Sequence, residues 1–246
     1  MESVKLEIAC NHYLSCLHAE QHGAQRIELF ENLPDGGCTP SFGMIKQVKQ
    51  TVSIPVYVMI RPRGGDFCYS KDEFEIMQHD VEQCLHLNVD GIVFGILKED
   101  GMVDTDRCKV LQQLWRFKSI TFHRAIDRAA NIMHAAQAIC AMGFERILSS
   151  GGAKDVNQGK EKLLAMQKEF GQHIIIMPGA GITTGNIRSI VEFCEVSEVH
   201  ATAKKEIPSR IGTLNPAFND NLSWSDPEYI AQLYKQLNNR QFKQNS

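Results

Sequence analysis

Glu7, Glu28, Arg61, His123 and His200 each lie within or at the end of an apolar run. The runs are Leu6-Glu7-Ile8, Ile27-Glu28-Leu29, Met59-Ile60-Arg61, Thr121-Phe122-His123 and Val199-His200-Ala201. Charged groups in such runs are costly to bury unless they are paired or meet a ligand. Carboxylates beside imidazoles are the side chains of general acid–base chemistry, and arginine offers a planar fork for carboxylate or phosphate. Each alone could be a satisfied core ion pair; five together point to a polar ligand.

The segments that follow these runs carry matching chemistry. Arg61-Pro62-Arg63-Gly64-Gly65-Asp66 sets two guanidinium groups beside a glycine pair, and His123-Arg124-Ala125-Ile126-Asp127 sets an imidazole beside a cation and a carboxylate. Ser149-Ser150-Gly151-Gly152 and Pro178-Gly179-Ala180-Gly181 each precede a helical stretch. Glycines at such places let backbone N–H groups approach an anion, although they also serve as plain tight turns. The expected catalytic set is therefore Glu7, Glu28, His123, Asp127 and His200. The expected anion-binding set is Arg61, Arg63, Arg124, Gly151, Gly152, Gly179, Ala180 and Gly181.

These residues need elements that bring them to one place. Apolar, β-branched runs predict strands at 4–10, 26–30, 55–60, 91–97, 119–124, 146–150, 174–178 and 198–202. Helical patterns follow near 14–22, 42–50, 71–87, 106–116, 131–142, 157–170, 184–193 and 226–240. Strict alternation implies a parallel sheet with right-handed crossovers, and eight strand–helix units can close a ring. A doubly wound sheet would show glycines in its first turn, where this chain has Cys10-Asn11-His12-Tyr13. The expected fold is a single (β/α)8 TIM barrel over residues 1–246, close to the roughly 250 residues typical of that fold. The irregular stretch 206–224 follows the last strand and should lie over the mouth as a lid or subunit contact.

Strand alternation sorts the faces. Leu6, Ile8, Ile27 and Leu29 must pack on helices, which turns Glu7 and Glu28 inward. The same rule turns Tyr57, Met59, Arg61, Thr121, His123, Glu198, His200 and Thr202 into the lumen. A lumen of purely structural purpose would hold Val, Ile and Leu there.

Composition narrows the class. The chain is 43% hydrophobic with a net charge of −3 and no basic tract, so a nucleic-acid partner is not expected. No apolar run is long enough for a membrane span, and the strand-like start at Val4 leaves no room for a signal peptide. The eight cysteines show neither CxxC pairs nor zinc-ribbon spacing and read as reduced thiols of a cytoplasmic protein.

The blocks LEIACN, RIEL, DGGCTPSFG, IPVYVMIRPRGGDFCYS, GIVFGILKEDG, TFHRAID, ERILSSGG, MPGAGIT and EVHATA resemble, in this order, the CutC family, named for copper homeostasis. The resemblance spans residues 4 to about 204. It implies a cytoplasmic (β/α)8 barrel, often a homo-oligomer, and Cu(I) as ligand. The family's copper-linked cysteines, at the ends of the first two strands, correspond to Ala9 and Phe30 here. Cys10, Cys38 and Cys68 are the thiols left near the mouth. Cu(I) prefers soft thiolates, and alternation turns Cys10 away from the lumen.

Two functions follow. One is non-catalytic copper handling, which needs thiols in the mouth. The other is a small-molecule enzyme on a phosphorylated or carboxylated substrate. No lysine is expected in the lumen, which argues against Schiff-base chemistry; Lys98, Lys154, Lys204 and Lys205 read as loop residues. Isomerase- or lyase-like proton transfer remains, with Glu7 or Glu28 as base and His123 as acid. A hard divalent ion held by Glu7, Glu28 and a histidine is a variant.

Overall fold

The computed structural model describes residues 4–116, 118–209 and 221–238. Eight parallel strands form the sheet: β1 Lys5–Cys10, β2 Arg26–Leu29, β3 Val56–Met59, β4 Gly91–Phe94, β5 Ile120–Phe122, β6 Arg146–Ser149, β7 Ile175–Pro178 and β8 Glu198–Ala201. They are ordered β7-β6-β5-β4-β3-β2-β1-β8, and β7 packs beside β8 to bring the ring nearly closed. The helices α1 Tyr13–Gln21, α2 Phe42–Thr51, α3 Lys71–His86, α4 Thr105–Leu114, α5 Ile132–Ala141, α6 Val156–Phe170, α7 Ile187–Cys194 and α8 Pro227–Asn238 complete a TIM barrel.

Local sequence explains the helix starts. Ser70 and Glu73 form a reciprocal capping box on α3, Asn131 caps α5 and Asp155 caps α6. Outward strand residues such as Leu6, Ile8, Ile27, Leu29, Val58 and Phe94 pack with helix residues in the main core. A second, smaller apolar cluster of Ala9, Phe30, Tyr57, Met59 and Val93 fills one side of the lumen. The faces expected from alternation are thus the faces observed.

Two features differ from the sequence reading. Short 3-10 segments at Leu33–Asp35 and Arg124–Arg128 shape the loops after β2 and β5. The segment expected to be irregular is flanked by a two-stranded antiparallel ribbon, β9 Lys204–Ile207 and β10 Leu222–Ser225. Lys204 and Lys205 therefore stand on a strand, not a loop. Ser225 anchors the ribbon to β1 and α1, donating from its hydroxyl to the Ala9 carbonyl and from its N–H to the Ser15 hydroxyl. Pro216 and the rest of 210–220, the centre of the expected lid, lie outside the described residues. No described helix is long and apolar enough to cross a membrane.

Candidate active site

The lumen's buried charges fall into two groups with different partners. Towards the strand beginnings, Arg26 joins the carboxylates of Glu7 and Glu198. Arg146 reaches the same Glu198 oxygen at 3.1 Å and Glu145 at 2.6 Å. The Tyr57 ring lies 5.0 Å from the guanidinium carbons of both arginines. A side chain on Gly91 would collide with that ring at 2.6 Å, which accounts for glycine there. Burial alone would raise the Glu7 carboxyl, but Arg26 and His200 hold it well below the usual range. Glu7 is thus held ionised at neutral pH and does not line the cavity above it.

That cavity, of about 670 Å³, opens at the C-terminal ends of the strands, the face where TIM-barrel chemistry is carried out. Glu28, Arg61, His123 and His200 all line it. His200 bridges the two regions: its Nδ1 lies 2.7 Å from Glu7 Oε1 and its Nε2 lies 3.6 Å from Glu28 Oε2. Burial opposes the imidazolium, yet the Glu28 and Glu7 carboxylates outweigh it and raise the His200 pKa. Glu28 is different. Burial, reinforced by Glu7, pushes its carboxyl up to about 7 against the pull of His200 and Arg26. Its Oε1 is buried without a hydrogen-bond partner among the described residues.

His123 faces the same space. Its Nδ1 accepts from the Ala125 N–H at 3.3 Å, so the ring proton belongs on Nε2, which has no partner among the described residues. Burial and the Arg61 charge lower its pKa to about 3, keeping the imidazole neutral. The Phe67 ring lies between His123, at 4.9 Å, and the Arg61 guanidinium, at 4.7 Å. Gly95 leaves room for the imidazole, since a Cβ there would meet Nδ1 at 2.6 Å.

The arginines take three different roles. Arg61 donates to the carbonyls of Asp35, Gly37 and Gly65 at 2.8, 2.7 and 2.8 Å, tying together the loops after β2 and β3. It has no carboxylate partner among the described residues, and its Nε is unpartnered. Arg63 points away from the cavity and pairs with Glu73 at 2.6 Å and Asp66 at 3.0 Å. It organises its own loop, a correction to its expected place in the anion site. Arg124 does line the cavity while its Nε bonds Asp127 at 2.9 Å.

Asp127 is not placed for catalysis. Its carboxylate accepts from the N–H groups of Ser150 and Gly152 and from the hydroxyls of Ser149 and Ser150. The Gly151 N–H goes to Ser149 Oγ at 2.8 Å. The turn after β6 is therefore an anion cradle already filled by the protein's own carboxylate, so Gly151 and Gly152 are not free to hold a ligand. The turn after β7 is different. Gly179 donates to Ser149, whereas Ala180 and Gly181 line the cavity with φ of 76° and 78°. Positive φ is uncommon at an alanine.

A model of the CutC family matches residues 4–205. The chain belongs to the CutC family. A CutC family protein from Xylella fastidiosa is 37% identical over 238 residues, covering 96% of this chain and 89% of its own length. The human copper homeostasis protein cutC homolog is 39% identical over 224 residues, covering 91% and 82%. The crystal structure of a copper homeostasis protein CutC from Streptococcus agalactiae superposes with a TM-score of 0.77 at 30% identity, covering 81% of this chain and 98% of that one. Phosphoribosylanthranilate isomerase from Pyrococcus furiosus shares the barrel, with a TM-score of 0.58 at 10% identity.

The thiols of this CutC chain fit copper poorly. Cys10 is fully buried in the core between sheet and helices, its Sγ 3.5 Å from the Ile8 carbonyl. Burial and neighbouring Cys16 raise its pKa well above the ordinary value, which opposes thiolate formation. Cys38 receives the Asn32 side-chain amide at 3.7 Å, and neither it nor Cys68 lines the cavity. Ala9 and Phe30 do line it, as hydrocarbon. The three weak candidates are thus not brought together. Among the described residues, no group of three or more His, Cys, Asp or Glu side chains is arranged to hold a metal. The expected Glu7–Glu28–histidine arrangement for a hard cation is consumed instead by the Glu7–His200 contact.

Arg26 and Arg146, which neutralise the lower lumen, were missed in the sequence. The signal was present: alternation carried two residues back from Glu28 reaches Arg26, and Arg146 shares a face with Leu148.

Proposed function

We propose that this protein is a small-molecule enzyme that moves a proton on a phosphorylated or carboxylated substrate. Glu28 serves as the base and later the acid, and neutral His123 polarises an oxygen through Nε2–H. The observation that carries this reading is that Glu28 and His123 line one cavity with cations at its mouth, and each holds a buried atom, Oε1 and Nε2, with no hydrogen-bond partner among the described residues. A carboxyl held near neutrality can both take and return a proton around pH 7. A neutral imidazole donates without adding a charge that would compete with the substrate's own. His200 steadies Glu28 from behind while Glu7 fixes the orientation of its ring. The eight free thiols support a cytoplasmic setting. The partner is a small anion rather than nucleic acid, and a homo-oligomer is the expected assembly.

The test is deuterium exchange from D2O into aldose and ketose phosphates and hydroxy acids, followed by proton NMR. Exchange should appear beside a carbonyl, and Glu28→Gln should abolish it while a ligand-induced melting shift persists. Absence of both exchange and melting shift with every phosphate and carboxylate compound would end this reading.

A further inference from the structure

One apolar cluster and the unpaired cations of the cavity wall stand on different arcs of the ring of strands. Along the arc of β1 to β3 the lining is Ala9, Phe30, Leu33, Met59 and Phe67. Ala9, Phe30 and Met59 belong to one apolar cluster, with Leu33 packed against it. The carboxylate of Asp35 stands at the rim of this arc. Arg61 is also here, but three backbone carbonyls occupy its terminal nitrogens and Phe67 covers its face. Along the opposite arc, after β5 to β8, the cations Arg124, Arg128 and Lys204 stand among Ile182, Thr183 and Tyr229. Arg128 and Lys204 have no carboxylate within ion-pair distance among the described residues. Glu28 and His123, each with a buried atom unpartnered among the described residues, line the same cavity.

We infer that the ligand is an amphiphilic anion: a flat apolar ring seated against Phe30, Leu33, Met59 and Phe67, with one phosphate or carboxylate held by Arg124, Arg128 and Lys204. The inference rests on the anion-binding reading above and adds the ring. A compact, fully polar sugar phosphate would leave the apolar arc facing water, and a cavity of about 670 Å³ is far larger than such a molecule requires. Asp35 repels a second negative group at the apolar end, which fixes the ligand's direction. The reacting atoms then fall between ring and anion, beside Glu28 and His123.

Calorimetric titration of the full chain with methyl phosphate, phenyl phosphate and benzyl alcohol separates the terms. Phenyl phosphate should bind about tenfold or more tightly than methyl phosphate, since burying one aromatic ring commonly contributes at least that much. Leu33→Ser, on a half-buried surface turn, and Phe30→Ala should each bring phenyl phosphate towards methyl phosphate and leave methyl phosphate unchanged. Lys204→Met should weaken both phosphates several-fold, and added salt should weaken them in wild type more than in the variant. Equal affinity for phenyl and methyl phosphate overturns the ring inference and leaves the anion site standing. Benzyl alcohol binding as tightly as phenyl phosphate removes the anionic arc. If neither phosphate binds, the anion reading fails, and the ring inference fails with it.

Discussion

Glu28→Gln isolates the group on which the proposed chemistry turns. The Glu28 carboxyl is pushed from an ordinary 4.5 to about 7 in the folded protein. Between those values the folded chain keeps a proton that the unfolded chain has released, so stability falls as pH rises through the window and stays lower above it. Ionising a carboxyl raised that far costs the fold on the order of 3 kcal/mol. Glutamine is close to the protonated acid in shape and cannot ionise. The variant should therefore match wild type near pH 4.5 and exceed it by up to about 3 kcal/mol at pH 8, gaining at most about 1.4 kcal/mol per unit between. Glu7 acts in the opposite sense: its lowered carboxyl stabilises the fold above the ordinary carboxylate range and is lost as pH falls. Glu7 is present in both proteins and largely drops out of the difference, whereas His200 loses the Glu28 charge that raises its pKa, which makes the gain at pH 8 smaller than for an isolated carboxyl. Urea unfolding at pH 5, 6, 7 and 8 gives the comparison. A pH-independent difference, or a less stable variant at pH 8, would refute a Glu28 that is costly to ionise.

Three further outcomes follow from the same contacts. Arg26→Met leaves Glu7 and Glu198 facing each other without their shared cation and should cost about 3–5 kcal/mol in urea unfolding, while the half-exposed pairs lost in Arg63→Met should cost about 1 kcal/mol or less. Asp127→Asn removes the charge that holds the N–H groups of Ser150 and Gly152, so hydrogen exchange at those amides should rise markedly; unchanged protection would show that the cradle does not depend on that carboxylate. Cys10→Ala should leave Cu(I) stoichiometry and affinity unchanged in a chelator competition, and loss of one tightly bound Cu(I) would contradict the placement of that thiol in the core.

Much of the barrel and the inward set were legible because strand alternation is local and strict. Glu7, Glu28, His123 and His200 point inward as period two requires. What alternation cannot give is depth along the barrel axis. Glu7 and Glu28 look equivalent in sequence, yet Glu7 sits against Arg26 while Glu28 stands a layer nearer the mouth, and that difference separates a fixed charge from a titrating one. Loop contacts were equally hidden. Arg61 reads as a ligand-binding or ion-paired arginine, but its reach to the carbonyls of Asp35, Gly37 and Gly65 depends on how two loops fold over it. The turn at Gly151-Gly152 has the composition of an anion site, and only the position of Asp127, more than twenty residues earlier, shows that the anion is internal.

The two groups of lumen charges differ in whether they balance, and that locates the demand for a ligand. In the lower group, Glu7 and Glu198 are matched by Arg26 and Arg146, and the contacts among them are complete. The turn after β6 is balanced as well, because Arg124 and the backbone donors meet Asp127. At the mouth the balance fails. Arg61, Arg128 and Lys204 line the cavity without a carboxylate partner among the described residues, and Asp35 and Glu28, whose carboxyl burial pushes up, are the carboxylates that line it with them. Buried or half-enclosed cations left in this state raise the local potential and favour an incoming anion. Phosphate or carboxylate at the arc of β5, β7 and β8 would restore the balance, and a soft metal cation would worsen it. The electrostatics of the mouth thus argue for an anionic ligand independently of where the cysteines lie.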